Sequence, residues 1–313
     1  MDYSLIAAKA AASSPQATVA GPYNTARILR IDGDGIAYYC AGNEDTSIAE
    51  ARSRTREKID AFLRASGAGQ QIILLTASGS DKGGRYAVAS VKPYQGNRTA
   101  SKKPANWYAL RDMLERGEFG KVVIDADREA DDRFGEAGHA DPENSVHATQ
   151  DKDMRMVPGY HLDWKTHRMF YLAPGVYDAT FNDLQYGLKW FWMQMLHGDT
   201  ADFIPGLPKA YGKLCGPATA EKMLAATTCN EEAFAVVSAA YISHWAEDWK
   251  VNLLEQAVLL WMRRGADAHW ADCLAPGGPL HLGQPVDWFD AYTTIEHRIT
   301  QAQELNALAA ETV

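Results

Sequence analysis

Across the first half of this 313-residue chain, short apolar runs alternate with stretches of helical spacing. That alternation is the strongest constraint on the fold. The runs are Arg27 to Ile31, Gln71 to Thr76, Lys121 to Ile124 and Val146 to Thr149. Each is too short for a buried helix and reads as a buried strand. Thr46 to Ala65, Pro104 to Arg116 and Glu129 to Glu136 have helical periodicity. Strands alternating with helices predict an α/β fold, a mostly parallel twisted sheet flanked by helices. Asp81 to Lys103 is rich in Gly, Lys and Arg, has no clear period, and reads as loop or arch. From Phe181 onward strand signals fade, and the longest helical stretches are Ser238 to Arg264 and Trp288 to Ala309. The expected organisation is a mobile arm over 1–26, an α/β core over 27–183 with an arch at about 81–118, and a helical region over 184–313.

Composition narrows the classes. The chain is 46% hydrophobic with nine Trp and fourteen Tyr, which marks a folded protein rather than a disordered one. No apolar run approaches the ~20 residues of a membrane helix. The start of the chain lacks the basic and then apolar pattern of a secretion signal, so the cytoplasm is expected. Cys40, Cys215, Cys229 and Cys273 show no paired spacing, which fits free thiols and no zinc site. The net charge of −9 is unusual for a protein that binds a polyanion. Nine of its 40 acids, however, sit in tight clusters, and the rest balance the 31 bases. A neutral body with basic patches and one concentrated anionic pocket would give this total, and such a pocket calls for cations.

The clusters are placed by the strands. Asp32 follows the first strand, and Asp151 and Asp153 follow the fourth. Glu129-Ala130-Asp131-Asp132 opens a helix with Glu129 and Asp132 on one face. Asp199 and Asp202 stand one helical turn apart in Gly198-Asp199-Thr200-Ala201-Asp202. The C-terminal strand ends of a parallel sheet gather at one edge, so these groups can converge. Carboxylates without His or Cys select hard cations such as Mg²⁺ or Mn²⁺. Two such ions ~3.5–4 Å apart form the usual clamp for attack of water on a phosphodiester. One acidic pair alone is more often a solvated helix start or N-cap. Four groups at strand ends and helix starts carry the argument together. Asp34 is a supporting residue or simply exposed. His147 and His197 read as structural, and Trp190-Phe191-Trp192 reads as core. The basic stripe Arg52, Arg54, Arg56 and Lys58 reads equally well as an exposed helix face.

The order of these motifs resembles the 5′-nuclease (flap endonuclease) family, in particular the phage replication 5′→3′ exonucleases. The likeness is carried by Asp32-Gly33-Asp34, Tyr94-Gln95-Gly96-Asn97-Arg98, Glu129 to Asp132, Gln150-Asp151-Lys152-Asp153, Gly198 to Gly206, and Gly212 to Lys222. It runs from about Arg27 to about Leu224 and leaves the C-terminal region unmatched. The resemblance implies a PIN-like core with a helical arch, two Mg²⁺ sites in which Mn²⁺ can substitute, and 5′→3′ hydrolysis of duplex DNA. Asp32, Glu129, Asp131 and Asp132 would hold the tighter ion, and Asp151, Asp153, Asp199 and Asp202 would surround the second. Arg98 would contact the scissile or adjacent phosphate, with Lys102 and Lys103 assisting and Lys92 and Tyr94 completing the DNA-contacting arch. A helix–hairpin–helix variant at about 204–224 would bind backbone phosphates through Gly212, Gly216, Thr219 and Lys222, with a monovalent cation at its turn. The implied partners are duplex DNA with a 5′ end or flap, and RNA/DNA hybrid, in phage-type replication or recombination. Two positions depart from the family pattern. Leu75-Thr76-Ala77-Ser78 lacks the acid often found after the second strand, and Gln95 stands where a Lys is usual. Lacking charge, Gln95 is expected to contribute little.

Two other readings compete. Asp32-Gly33-Asp34-Gly35 after a strand also resembles the nucleophile loop of haloacid-dehalogenase-type phosphatases, with Asp32 as nucleophile and Asp34 as acid/base. That reading leaves the acids at 129–132 and 151–153 and the hairpin without a task. A catalytically silent DNA-binding module is the other, and eight clustered carboxylates that repel one another argue against it.

Overall fold

The structure, a computed structural model, describes residues 17–18, 23–98 and 102–311. Most of the arm expected over 1–26 lies outside the described residues. The chain divides into two units. The first comprises Met1–Ser80, Ser101–Gly187 and Met262–Asp267; the second comprises Asp81–Ala100, Leu188–Trp261 and Ala268–Val313.

The first unit is built on a seven-stranded sheet. Its strands are β1 (Ala17–Thr18), β2 (Asn24–Asp32), β3 (Ala68–Thr76), β4 (Lys121–Asp125), β5 (Ser145–Ala148), β6 (Gly159–Leu162) and β7 (Met169–Leu172). The order is β1-β7-β6-β5-β2-β3-β4. Strands β4, β3, β2, β5 and β6 run parallel, and β7 and β1 add an antiparallel edge. The mostly parallel sheet expected from the alternation is the one observed. Leu29, Ile31, Ile73, Leu75, Val146 and Ala148 are fully buried, as strands covered on both faces require. Helices Gly33–Cys40, Ile48–Ser66 and Trp107–Glu115 contribute Ile36, Ala37, Ile59, Phe62, Leu110 and Leu114 to the same core. Ser47 caps the second of these by accepting from the Glu50 N–H at 3.2 Å, and Gly67, at φ +58°, ends it in the left-handed conformation. The basic stripe on that helix is occupied locally. Arg52 pairs with Glu118 at 3.2 Å, Arg56 donates to the Glu118 carbonyl, and Lys58 donates to the Trp164 carbonyl.

The second unit is mainly helical: Leu188–His197, Pro217–Met223, Asn230–Trp245, Trp249–Leu260 and Phe289–Glu311. Trp190, Phe191 and Trp192 are buried in it, as expected of a core stripe. The single long helix expected over Ser238 to Arg264 is instead two. Ala246 takes φ +48° and the chain reverses through a 3₁₀ turn at Ala246–Asp248. Apolar residues on all sides of the segment drive this break, because two packed helices bury both faces where one could bury only a stripe.

The C-terminal region that matched no motif has a defined mechanical task. Glu255, only 1% exposed, accepts from the Ser90 N–H (3.0 Å), the Ser90 hydroxyl (2.5 Å) and the Val91 N–H (3.1 Å). It also pairs with Arg298 at 2.7 Å, and Arg298 donates to the Val88 carbonyl at 3.2 Å. Fully buried Arg85 donates to the Trp261 carbonyl at 3.2 Å. The two C-terminal helices therefore clamp the segment that leads into Tyr94 to Arg98. Removing one partner of a buried ion pair strands the other, typically at a cost of about 3–5 kcal/mol. Glu255→Ala should lower unfolding stability by that order in urea titrations, and Glu255→Gln by clearly less. Equal losses would show that the shape and hydrogen bonding that Gln retains contribute nothing.

Candidate active site

The acids of the first unit lie where the sheet topology delivers them. Asp32 ends β2 and caps the helix that follows, accepting from the Gly35 N–H at 2.7 Å through Oδ1. Its Oδ2 accepts from the Thr149 hydroxyl at 3.1 Å, and the Thr149 oxygen in turn accepts from the Asp151 N–H at 2.9 Å. Thr149 thus ties the end of β2 to the acidic turn after β5. Asp151 caps a 3₁₀ turn by accepting from the Asp153 N–H at 2.8 Å, and Asp153 is 3% exposed. A Cβ on Gly35 would collide with the Asp32 carboxylate, which explains the Gly in Asp-Gly-Asp-Gly.

The helix Ala130–Ala140 starts at Glu129, its N-cap residue, with Asp131 and Asp132 in the first turn. Its first amide, the Ala130 N–H, is accepted by Thr76 Oγ1 at 2.9 Å. Thr76, at the end of β3 in the run that lacks the expected acid, thereby anchors the helix that carries Glu129. Asp132, 1% exposed, accepts from the Arg263 N–H at 3.1 Å and so fastens the returning segment Met262–Asp267. Asp34 pairs with Arg111 at 3.1 Å, and Arg111 also donates to the Thr76 carbonyl at 2.5 Å. Arg111 and Thr149 escaped the sequence reading. An isolated Arg in a helical stretch and a Thr at a strand end carry no motif. Asp125, at the end of β4, is buried but matched by Arg133 at 2.8 Å and Arg128 at 3.6 Å.

Electrostatics separates these acids. Burial pushes the Asp32 carboxyl up to about 6, the Asp34 and Asp151 charges add to the rise, and the bonds from Gly35 and Thr149 oppose it. Among the described residues no cation is paired with it. His147 and His161 are buried and held neutral by burial, each bonded to a backbone carbonyl, His147 to Pro158 and His161 to Val157. His147 is structural, as expected.

In the second unit, Asp199 and Asp202 belong to a tight loop closed by reciprocal Asp199–Ile204 backbone bonds of 2.8 and 2.7 Å. Gly198 and Gly206 pack backbone to backbone, and a Cβ on either would meet main chain. Both acids are buried, with carboxylate oxygens within 4.8 Å of each other. The Tyr94 to Arg98 motif docks on this loop. The Gln95 N–H donates to the Asp202 carbonyl at 2.8 Å, and the Gln95 side-chain amide to Asp202 Oδ1 at 3.0 Å. The Tyr94 hydroxyl reaches Asp202 Oδ2 at 3.4 Å, and the Asn97 amide donates to the Thr200 carbonyl at 2.8 Å. Arg98 forms an ion pair with Asp202 and donates to the Ala201 carbonyl at 3.3 Å. Gln95, expected from its lack of charge to contribute little, is bonded twice to Asp202. Lys92 lies 4.9 Å over the Phe203 ring, Lys103 lies 4.6 Å over Trp107, and Lys102 pairs with Glu44 at 2.9 Å. Gly212 occupies the turn between strands Lys209–Ala210 and Lys213–Leu214. Gly216 caps the helix that holds Thr219 and Lys222.

With acids delivered to the C-terminal edge of a mostly parallel sheet, the fold is that of solved 5′-nucleases. The chain is similar to the bacteriophage T5 D15 flap endonuclease in a pseudo-enzyme–product complex with DNA and metal ions, at 14% identity and TM-score 0.55, over 88% of this chain and 99% of that one. It is also similar to the T5 D15 protein co-crystallised with metal ions, at 14% identity and TM-score 0.53, over 88% and 98%. A third similar structure is T5 5′-exonuclease with bound zinc ions, at 15% identity and TM-score 0.54, over 88% and 98%. No protein-family model and no curated protein matches the chain. Among the described residues no helix is long and apolar enough to cross a membrane.

A carboxyl whose native pKa of about 6 exceeds its unfolded value near ~3.9 binds its proton more tightly when folded. Its favourable contribution is full below the unfolded value and is lost as pH rises through about 6. In metal-free buffer, the Tm of the wild type should therefore gain on that of Asp32→Asn as pH falls from about 7 to about 5. A constant difference across that range would contradict the perturbed carboxyl.

Proposed function

We propose that this chain is a divalent-metal-dependent nuclease that hydrolyses phosphodiesters of duplex DNA from 5′ ends, in phage-type replication or recombination. Flap cleavage and RNA-primer removal are related activities of the same site. The observation that carries the reading is Asp32, an acid fixed by two neutral donors and raised by burial and by neighbouring carboxylates, with no cation paired to it among the described residues. Asp125, buried at the same sheet edge, is matched by two arginines and calls for no ion. The oxygen-only donor set fits Mg²⁺ or Mn²⁺. We assign the tighter ion to Asp32, Glu129, Asp131 and Asp132, and the second to Asp151, Asp153, Asp199 and Asp202. When bound, such ions activate water and neutralise charge on the phosphate oxygens.

The chain's own residues orient and attract. Thr149 holds Asp32 in register with Asp151, while Gln95, Tyr94 and Arg98 fix Asp202. Arg98, half exposed, can meet a phosphate, with Lys92, Lys102 and Lys103 supplying longer-range attraction. The hairpin and helix around Gly212, Gly216, Thr219 and Lys222 bind duplex phosphates without reading sequence, with a monovalent cation at the turn. A Cβ on Gly216 would meet nothing within 4 Å, so a bulky residue there should weaken duplex binding without harming the fold. The phosphatase reading loses its acid/base, because Asp34 is ion-paired with Arg111 and sits in a helix.

Digestion of duplexes labelled at the 5′ or 3′ end, with and without Mg²⁺, tests the proposal. Release from 5′ ends that stops in EDTA is expected, and undiminished activity in EDTA would sink it. Asp32→Ala should lose on the order of 10³-fold in turnover while still binding duplex in Ca²⁺. A catalytically silent module would show no Mg²⁺-dependent release from the wild type at all.

Residues that orient a metal ligand typically matter by about 10–100-fold in metal affinity or activity. Gln95→Ala should accordingly lose activity in that range and be partly rescued by high Mg²⁺. Arg98→Ala should lose more and regain less. Wild-type kinetics in Gln95→Ala would mean that its bonds to Asp202 are dispensable.

A further inference from the structure

We infer that the tip of the hairpin Lys209–Ala210/Lys213–Leu214 is a wedge for the minor groove of duplex DNA, with Tyr211 and Leu214 as its apolar edge and Lys209 and Lys213 as its phosphate contacts. The inference rests on the nuclease reading above and adds a specific contact to it.

The turn itself is anomalous. Two strands pair in register as Lys209–Leu214 and Ala210–Lys213, joined by Tyr211 and Gly212. Both joining residues have positive φ, +49° and +81°. Positive φ at both central positions defines a type I′ turn, for which Asn-Gly is the favoured pair. Gly212 suits its position. Tyr211 does not, since a bulky side chain in the left-handed region is strained. Strain of this kind is normally offset by packing, yet Tyr211 is 62% exposed and makes no side-chain hydrogen bond or ring contact among the described residues. Leu214, one residue past its neighbour Lys213, is 80% exposed. An exposed aromatic held in an unfavourable backbone conformation, beside an exposed Leu, points to a contact made outside the chain.

The chemistry of that contact is set by the flanking charges. Lys209 and Lys213 bracket the turn and are exposed, and no acid occurs between Phe203 and Glu221. In a chain of net charge −9 this is a local basic island with an apolar crest. That combination matches the minor groove, where sugar and base edges are apolar and phosphates line both rims. Proteins that enter it commonly press an apolar side chain against a base step while cations meet the backbone. Tyr211 and Leu214 would meet the base step and sugars, and the two ammonium groups the phosphates on either side.

The test uses Tyr211→Asn in the full chain, because Asn is the residue the turn prefers. Its Tm should equal or exceed that of the wild type. Its Kd for duplex DNA, measured by anisotropy in Ca²⁺, should rise about 5- to 100-fold, the range for loss of one aromatic contact to a base. With 2-aminopurine in the duplex, wild-type binding should raise the fluorescence at one step and Tyr211→Asn should not. Leu214→Ser should weaken binding in the same direction, and Lys213→Ala should reduce the salt slope of log K by about one. Wild type that binds duplex while Tyr211→Asn binds equally tightly would overturn the wedge alone. A lower Tm in Tyr211→Asn would overturn it too, by giving Tyr211 a structural role. Wild type that binds no duplex would overturn the nuclease reading and the wedge with it.

Discussion

The bond from the Thr149 hydroxyl to Asp32 is the contact on which the candidate site turns. Carboxylates gathered at one sheet edge repel each other, and a protein can relieve that with arginines or leave it to a bound cation. The arginine solution is present in the first unit, beside an acid that lacks it among the described residues. Asp125 is neutralised by Arg133 and Arg128, which also share Glu136, so the end of β4 is a closed ion-pair network. Among the described residues Asp32 is held by a backbone N–H and a hydroxyl. Neutral donors fix its geometry without cancelling its charge, and that is the condition a ligand for a divalent ion must satisfy. Because Thr149 also receives the Asp151 N–H, one side chain sets the spacing of two acids.

The second unit solves a different problem, that of keeping an irregular segment in one place. The segment from Arg85 to Arg98 has little regular structure of its own, and its backbone groups need partners. Glu255 and Arg298 supply them at one end, and at the other the Asp202 carbonyl accepts from the Gln95 N–H. Buried charges are costly, so Glu255 with five donors is a strong positional device only because its partners are present. The C-terminal helices, which resemble nothing in the motif pattern, therefore act on Asp202 through the segment they clamp.

How much of this was legible in the sequence follows from how local each signal is. β2, β3, β4 and β5 show as apolar runs of four to six residues, and the acids at their ends could be placed because a parallel sheet gathers its C-terminal ends. β6 and β7, four residues each and joined by a polar turn, do not rise above background. The break at Ala246 lacks Gly or Pro and is decided by packing, which no local pattern records. Thr76, Thr149, Arg111 and Glu255 were missed for a shared reason. Each acts through a partner far away in sequence, such as Thr149 on Asp32 or Glu255 on Ser90. Residue type alone cannot reveal such a pairing.

The two departures from the family pattern become intelligible at this level. A Lys at position 95 would place a second cation beside Asp202, which Arg98 already neutralises. Gln95 supplies a directional hydrogen bond to the same carboxylate without adding charge, so the acid is oriented and not over-compensated. Thr76 follows the same logic. Its hydroxyl accepts the first amide of the helix that carries Glu129, a task an Asp also performs, but it adds no negative charge to an edge where Asp32 is already raised by its neighbours. In both places a charged group gives way to a neutral one that keeps the geometry. Gln95 withholds a positive charge and the neutral Leu75-Thr76-Ala77-Ser78 run withholds a negative one, so the two departures act on charge in opposite senses while the geometry is kept.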